Sequence, residues 1–299
     1  MKDVSPYIGI ASVLSAGIIW GFLGLFVRSL ADYGFTPIQM TCIRYVVVAL
    51  FLGAILLCIN PASLRINRRS VLVFFIMGVF GSALNSIFYF QSMNMISIGL
   101  ATILQYISPF VVVLFSILLF REKLTHEKAI ALIVAFVGCI LCTGILTDFG
   151  SVNIMGIIFG TLSGLCYSMY TIGSKIASCK YGILTITFYS SLFSGIILIP
   201  FSDLSSATDI MVSSLDASML MIGLIFLMTL LPFSLYNVGV SRMDAGKASI
   251  ITYIEPVVST IVGFCVYNEA ITLVTVLGIT MVLTSLILIN RKPTCTYSK

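Results

Sequence analysis

One carboxylate, Glu255, lies in the middle of a long apolar stretch of this sequence. An acid buried among apolar residues is costly, so its presence indicates a specific role. Glu255 could bind an amine or another cationic group, or it could take up and release a proton. The structural alternative is that Glu255, when protonated, only hydrogen-bonds to a neighbouring Tyr or Thr.

Arg44 is a second charged residue inside an apolar stretch, about six residues, or roughly 9 Å, from its end. Its long side chain could extend to the nearby surface, which would be a purely structural arrangement. Alternatively, Arg44 binds a carboxylate or a phosphate, or it pairs with Glu255. A cavity with one fixed acid and one fixed base would suit a zwitterion such as an amino acid.

The composition identifies the environment of these charges. Hydrophobic residues make up 59% of the 299 residues and charged residues only 9%, whereas a soluble domain has roughly a quarter charged residues. The chain is therefore predicted to be a polytopic membrane protein. Its apolar segments of about 20 residues indicate helices rather than the short alternating strands of a barrel. The net charge of +5 is spread over short loops, which argues against a nucleic-acid partner.

The segment around Glu255 repeats an earlier segment at a distance of 147 residues. The matched residues include Tyr106 and Tyr253, Ile107 and Ile254, and Pro109 and Pro256. The first segment has Ser108 where the second has Glu255, so the predicted site is asymmetric.

Pro109 and Pro256 are each expected near the midplane of a membrane helix. Proline removes a backbone donor and frees a carbonyl one turn earlier, near Gln105 and Thr252. Such a carbonyl should face protein or a wet cavity, because it would be costly in hydrocarbon. The two prolines therefore predict helix kinks beside a central cavity, with a simple packing kink as the alternative.

Aromatic and neutral polar residues are candidates for the lining of this cavity. They are Trp20, Tyr89, Tyr106, Tyr167, Tyr236 and Tyr253, and Asn85, Gln105, Asn237 and Thr252. Any one aromatic residue is better explained by packing, because 12% of the chain is aromatic. The repeat favours the matched pairs Trp20/Tyr167, Tyr106/Tyr253 and Tyr89/Tyr236.

Charge-poor windows predict ten membrane helices, with the first retained as an uncleaved span. They cover residues 8–27, 38–59, 71–91, 97–119, 128–146, 154–174, 184–201, 217–239, 246–267 and 273–290. With both termini placed in the cytoplasm, fourteen of the sixteen Lys and Arg residues fall on the cytoplasmic side. The positive-inside rule therefore favours ten spans in this orientation, in the inner or plasma membrane.

The fold class follows from the repeat. Residues 1–147 and 148–299 are predicted to form two five-helix repeats, and an odd number of spans inverts the second repeat relative to the first. Such a pair can exchange conformations, closing one mouth of a cavity while opening the other. Duplication kept only for packing remains the alternative.

Motifs for enzymatic chemistry are missing from the sequence. There is no H-E-x-x-H motif, no pair of intramembrane aspartates and no phosphate-binding glycine loop. Cys139 and Cys142 have redox-like spacing but lie in a helix without metal-binding companions, so they are interpreted as packing residues. Neither a cofactor, a metal nor an enzymatic activity is expected.

Several segments in one register point to a known family. They are the Trp20-Gly21 pair, Arg44, the stretch 101–109 with its continuation 120–125, and the stretches 253–256 and 268–272. In this combination the chain resembles the EamA-type transporters of the drug/metabolite transporter superfamily, over essentially its whole length.

The resemblance implies an alternating-access carrier, often an exporter of amino acids, their relatives or other small metabolites, with a central cavity between the halves. The second repeat departs from the first, with Tyr167 in place of the tryptophan and Ser191 in place of the arginine. Glu122 and Glu269 match the recurring glutamate of the family and are expected to cap neighbouring helices.

The sequence thus predicts a carrier that lies in the lipid bilayer and takes a small-molecule substrate, with a proton as the candidate coupling ion. Export of an amino-acid-like metabolite is the favoured function. The alternatives are an importer or exchanger of organic cations, which would use Glu255 and aromatic rings, and a channel-like or non-transporting membrane component. A homodimer is compatible with the sequence, which does not determine the oligomeric state.

Overall fold

The fold is a bundle of ten main helices, seen in a computed structural model that describes residues 6–96, 98–142, 153–267 and 271–290. They are α1 (Pro6–Trp20 and Leu23–Asp32), α2 (Pro37–Ile59), α3 (Arg68–Met95), α4 (Ile98–Gln105 and Ser108–Phe120), α5 (His126–Cys142), α6 (Ile154–Ser178), α7 (Ile183–Leu198), α8 (Leu215–Arg242), α9 (Ala245–Ile251 and Ile254–Tyr267) and α10 (Leu273–Asn290). The described residues contain no strand.

Nine of these helices are long and apolar enough to cross a membrane, counting only the described residues. The remaining one, α5, has 17 described residues, and residues 143–152 after it lie outside the description. The predicted all-helical membrane fold is confirmed. The boundary at residues 147 and 148 stays a prediction, because it falls on residues that the structure does not describe.

Some helices are longer than the sequence predicts. The first was expected at residues 8–27 but continues to Asp32, and the third was expected at 71–91 but spans Arg68–Met95. The predicted spans end at polar residues, but a membrane helix can continue through polar residues where it leaves the apolar layer of the bilayer. The long connection after α7 also contains a helix, Leu204–Ser213, whose N-cap Asp203 accepts a hydrogen bond from the Ser206 N–H.

The helices pack in pairs that join the two repeats. Extensive contacts link α5 with α10, α2 with α7, α1 with α8, and α3 with α6. The shift that carries α1 onto α6 also carries α3 onto α8, so the last two pairings are equivalent under the repeat. This arrangement is a bundle of two inverted five-helix repeats related by a pseudo-two-fold axis.

The two helices that contain the matched prolines are broken at the centre of the bundle. In α4 the break lies at Tyr106 and Ile107, and in α9 at Thr252 and Tyr253. Each break comes about one turn before the proline, because the proline cannot bond the carbonyl at that position. The expected kinks at Pro109 and Pro256 are therefore present.

The carbonyls freed at the breaks are paired by tyrosines of the opposite repeat. The Tyr253 hydroxyl donates to the Tyr106 carbonyl at 2.7 Å. The Tyr106 hydroxyl shares its single proton between the Thr252 carbonyl, at 3.1 Å, and the Glu255 carboxylate, at 2.6 Å. The two rings lie 4.9 Å apart. These carbonyls face protein, which is one of the two surroundings expected for them.

Small residues allow close packing around the α4 break. A Cβ on Gly164 of α6 would lie 2.8 Å from the Gln105 carbonyl oxygen, and a Cβ on Gly160 would lie 2.7 Å from the Leu104 side chain. Only glycine fits at such distances. Gly160 and Gly164 of α6 therefore position the end of the first α4 segment, which carries Gln105.

Two π-helical stretches interrupt α3 and α8 at matching positions of the repeats. They span Ile76–Leu84 and Phe226–Leu230. A π-helical stretch shifts the register of the following residues and is often found at functional sites. In α3 it ends immediately before Asn85 and Ser86, so it determines the direction in which their side chains point.

Candidate functional site

A cavity lies between the two repeats, near the breaks of α4 and α9. Its empty space is about 490 Å³, including the part open to solvent. The lining residues are Trp20, Leu23, Arg44, Tyr45, Asn85, Ser86, Tyr89, Phe90, Gln105, Tyr167, Phe233 and Glu255.

The sequence suggests twelve residues for this site, and seven of them line the cavity: Trp20, Arg44, Asn85, Tyr89, Gln105, Tyr167 and Glu255. Five do not line it: Tyr106, Tyr236, Asn237, Thr252 and Tyr253. These five are fully or almost fully buried and their polar groups are bonded to protein. Their expected position in the lining is therefore not seen, and a role for them in substrate binding stays a prediction.

Arg44 carries a buried positive charge at the cavity wall. Its side chain is 4% exposed, so it does not extend to the surface. The guanidinium donates to the Ser86 hydroxyl and lies 4.7 Å from the centre of the Tyr45 ring. Its Nε has no hydrogen-bond partner among the described residues. The Nε atom is itself buried, so the guanidinium charge at the cavity wall, rather than this single donor, is suited to bind an anion from the cavity.

Glu255 supplies the negative charge of the same cavity. It follows the α9 break, where its N–H donates to the Thr252 carbonyl at 3.0 Å. One carboxylate oxygen accepts a hydrogen bond from the Tyr106 hydroxyl at 2.6 Å. Arg44 and Glu255, both within the described residues, form no ion pair with each other. The direct pairing left open by the sequence is therefore absent, and both charges are available to a ligand.

Neutral polar groups form another part of the wall. The Gln105 Nε2 donates to the Asn85 Oδ1 at 3.0 Å, across α4 and α3. The Tyr89 hydroxyl is hydrogen-bonded to the Thr102 hydroxyl at 2.9 Å. The polar candidate Asn237 lies elsewhere, where it donates to Tyr170 and Thr187 inside the bundle.

Aromatic rings form the wall toward α8. The Trp20 ring lies 5.3 Å from Phe233 and 6.4 Å from Tyr167, both in edge-to-face geometry. Tyr236 packs behind Trp20 at 5.5 Å, and its hydroxyl bonds Thr171. Of the matched aromatic pairs, Trp20 and Tyr167 both line the cavity, whereas Tyr89 lines it and its counterpart Tyr236 does not. The lining therefore follows the sequence symmetry only in part.

The cavity is displaced toward one end of the bundle. Arg44 and Gln105 are each the eighth residue of a helix that begins at that end, which places them about 10 Å from it. The opposite end, called the basic end, holds Arg65 and Arg121 in its connections and Arg242 at the end of α8. There the first α9 segment, Ala245–Ile251, is buried along its whole length.

A charged cluster ties the two repeats together at the basic end. The Glu122 carboxylate, just after α4, accepts from the Ala245 N–H at 2.8 Å and from the Lys128 Nζ at 2.8 Å. Lys128 is 4% exposed, and its Nζ lies 3.9 Å from the Asp244 carboxylate. The expectation that Glu122 caps a neighbouring helix is confirmed. Glu269, its counterpart, lies outside the described residues.

Charges in this cluster shift the titration of its acids. Burial acts to raise the pKa of Glu122, but the Lys128 ammonium and the Ala245 N–H outweigh it and lower that pKa below the usual range. For Asp244, burial and the nearby Glu122 charge raise the pKa, against Lys128 and Lys175. Glu122 therefore stays ionised at neutral pH, and Asp244 is protonated at higher pH than an ordinary aspartate.

Sequence reasoning missed five residues of the lining. These are Leu23, Tyr45, Ser86, Phe90 and Phe233. Ser86 contacts Arg44 and lies beside Asn85 along the chain, yet a serine in an apolar segment gives no distinctive signal. The others are apolar or aromatic residues, which are as common toward lipid as toward a cavity.

Comparisons with known proteins agree with this architecture. The family model described as the EamA-like transporter family matches residues 7–144 and again residues 154–291, two ranges offset by 147 residues. A solved crystal structure has the same fold, with a TM-score of 0.77 at 18% identity, covering 96% of this chain and 97% of that one.

Curated relatives extend over most of the chain. An uncharacterized inner membrane transporter of Salmonella typhimurium, YicL, is 27% identical and covers 94% of this chain and 95% of its own. The threonine/homoserine exporter RhtA of Salmonella typhimurium is 24% identical and covers 87% and 83%.

The fold and the charged cavity between inverted repeats define a multi-span membrane protein of the transporter class. The family match covers both repeats and nearly the whole length. The chain belongs to the EamA-like transporter family.

Proposed function

We propose that this transporter moves a small zwitterionic, amino-acid-like metabolite by alternating access. The observation that carries the proposal is that Arg44 and Glu255 line one cavity without pairing with each other. The guanidinium binds the substrate carboxylate, and the Glu255 carboxylate binds the ammonium group. Each buried charge then gains a partner only when substrate is bound, which favours a ligand that carries both charges.

Alternating access is supported by the difference between the two ends of the bundle. The basic end is closed by the buried first segment of α9 and by the cluster of Glu122, Lys128 and Asp244, while the cavity lies toward the other end. Opening of the basic end requires these contacts between the repeats to separate. The positive-inside rule supports a cytoplasmic location for the basic end. Export is the proposed direction, in keeping with the name of the relative RhtA.

The organic-cation alternative is disfavoured by Arg44. A quaternary amine would fit Glu255 and the aromatic wall, but it would enter a cavity that already contains a fixed guanidinium without a carboxylate partner among the described residues. A channel is disfavoured by the closed basic end.

The proposal is tested by counterflow in proteoliposomes with three forms of one amino acid. The zwitterion should exchange, whereas its carboxamide and its N-acetyl derivative should not, because each lacks one of the two charges. An Arg44→Gln variant should lose selectivity against the carboxamide. Exchange of the carboxamide and the zwitterion at equal rates by the unmodified protein would contradict the role of Arg44, and exchange of quaternary amines alone would favour the organic-cation alternative.

Proton coupling is the second part of the proposal. Glu255 is the ionisable acid of the cavity wall, and it can exchange a proton for the ammonium group of the substrate. An imposed pH gradient should therefore drive amino acid accumulation in vesicles that contain the unmodified protein. Exchange that is identical with and without the gradient would show that the carrier is not proton-coupled.

Tyr106 is expected to position Glu255 without touching substrate. A Tyr106→Phe variant keeps the ring and removes the hydrogen bond to the carboxylate, a charge-assisted bond of about 1.5–3 kcal/mol. The KM for counterflow should rise by about 10-fold or more, with a smaller change in maximal rate.

Tyr253→Phe is the matched control for this change. It removes a hydroxyl that bonds only a backbone carbonyl of the other repeat, so it should alter the stability of the protein more than the KM. Equal effects of the two variants on KM would mean that Tyr106 acts only through packing at the helix break.

A further inference from the structure

We propose that Asn85 and Gln105 form a subsite that selects substrates whose side chain carries both a hydrogen-bond donor and an acceptor. A hydroxyl or a carboxamide meets this requirement, and an apolar side chain of the same size does not. The inference rests on the proposed amino-acid-like substrate, and it specifies that Asn85 and Gln105 recognise the side chain of that substrate.

Each amide side chain of this pair has one polar group that makes no hydrogen bond within the pair. Each carboxamide has one carbonyl oxygen and one NH2 group. The bond from Gln105 Nε2 to Asn85 Oδ1 uses one group of each residue and leaves the Asn85 NH2 and the Gln105 oxygen. Neither remaining atom is among the buried, unpartnered side-chain atoms of the described residues, so both are open to the cavity that the residues line.

The pair presents the same chemistry whichever way its amides are turned. If both amides are flipped, Asn85 donates to Gln105, and the open groups become the Asn85 oxygen and the Gln105 NH2. One donor and one acceptor face the cavity in either arrangement. A hydroxyl satisfies both at once, because it donates one hydrogen bond and accepts others.

The pair is held rigidly by its surroundings. Gln105 is the last residue of the first α4 segment, and the α6 glycine Gly164 packs directly against its backbone. Asn85 is 8% exposed and begins the α-helical part of α3 after the π-helical stretch. Groups positioned in advance lose little entropy when a ligand binds.

The location fits a side-chain subsite. Ser86, the next residue after Asn85, holds the Arg44 guanidinium. The amide pair therefore lines the same cavity as the group proposed to bind the substrate carboxylate, and consecutive residues of α3 contribute to both. A short polar side chain of an amino acid anchored at Arg44 is suited to this position.

A substrate with an apolar side chain of the same size would exclude water from the two amide groups and leave both without a hydrogen-bond partner. A site built to hydrogen-bond a substrate group rejects the analogue that lacks it more strongly than an apolar pocket rejects an added group. With two neutral hydrogen bonds involved, threonine should be preferred over its isostere valine by about 10-fold or more.

The test is competition by threonine and by valine against counterflow of a labelled amino acid in proteoliposomes. The unmodified protein should show the preference of about 10-fold, and Gln105→Met should reduce it below about threefold, because threonine loses a hydrogen bond and valine no longer leaves the Gln105 amide unpaired. Gln91→Met is the matched control, because Gln91 lies on α3 outside the cavity lining. It should keep the full preference.

The outcomes separate this inference from the proposed function. Exchange of amino acids with equal competition by threonine and valine, or a preference that survives in both Gln105→Met and Asn85→Leu, would overturn the subsite and leave the carrier proposal intact. Exchange of no amino acid by the unmodified protein would overturn both. Retained valine exchange in the variants shows that they are folded.

Discussion

Replacing Glu255 with glutamine is expected to lower the efficiency of zwitterion counterflow by about 30-fold or more. Removal of one partner from a buried, hydrogen-bonded charge pair costs about 2–5 kcal/mol, and 2 kcal/mol corresponds to about 30-fold. The glutamine keeps the shape of the side chain and can still accept the Tyr106 hydrogen bond, so the change removes the charge and little else.

The measurement is initial-rate counterflow of a labelled amino acid, with and without an imposed pH gradient. Any exchange that the variant retains should not respond to the gradient, because the proposed proton carrier is missing. Asp209→Asn is the control, since Asp209 lies exposed on the helix between α7 and α8. Full, gradient-driven exchange by the Glu255→Gln variant would leave Glu255 with a structural role only.

Replacing Lys128 with methionine is expected to open the basic end. The change leaves the buried Glu122 and Asp244 carboxylates near each other without the cation between them. Loss of one partner from a buried ion pair costs about 3–5 kcal/mol. This free energy is enough to shift the equilibrium between the closed and open arrangements by about 100-fold or more. Methionine keeps most of the packing of the lysine stem.

Opening can be followed through a cysteine placed at Ala248, which is fully buried in the closed arrangement. In a background without the native cysteines, a membrane-impermeant maleimide should label this position slowly when Lys128 is present. In the Lys128→Met variant this cysteine should be labelled at least about 10-fold faster, which is a smaller change than the expected shift of the equilibrium.

Two rescues distinguish a charge effect from general damage. The double variant Glu122→Gln/Lys128→Met removes both charges of the pair and should restore slow labelling, as paired removal is often nearly neutral. Lowering the pH should also slow the labelling of the Lys128→Met variant, because protonation of Asp244 and then of Glu122 removes the repulsion between the two carboxylates. Lys175 and Lys247 also face this cluster, and their charges oppose the protonation of Asp244. Fast labelling in the double variant would exclude a closing role for the ion pair.

Part of the candidate site was predictable because single residues stand out against their background. Glu255 and Arg44 are charges in apolar segments, and a buried charge requires compensation wherever the helix faces. Pro109 and Pro256 were predictable for the same reason, since the missing N–H must break the helix locally. The break positions, at Tyr106 and Tyr253, follow from the proline chemistry within one turn.

Other predicted residues lie outside the cavity lining, because sequence symmetry does not determine the orientation of a side chain. Tyr106 and Tyr253 match each other and were expected in the cavity, but their hydroxyls bond carbonyls across the repeats. Tyr89 and Tyr236 also match, yet only Tyr89 lines the cavity. A pseudo-symmetric bundle with its cavity displaced to one end gives matched residues different surroundings.

The sequence by itself determined the class of protein, the number and order of its helices, the inverted repeat and the presence of two costly charges. All of these are properties of composition, local hydropathy and self-similarity along the chain. Only the tertiary structure decided that Arg44 and Glu255 share a cavity without pairing, that the Asn85 and Gln105 amides meet across two helices, and that Glu122 joins the repeats at the basic end. The physical reason is that lipid-facing and interior-facing residues are equally apolar in a membrane protein, so hydropathy cannot specify which helix faces meet.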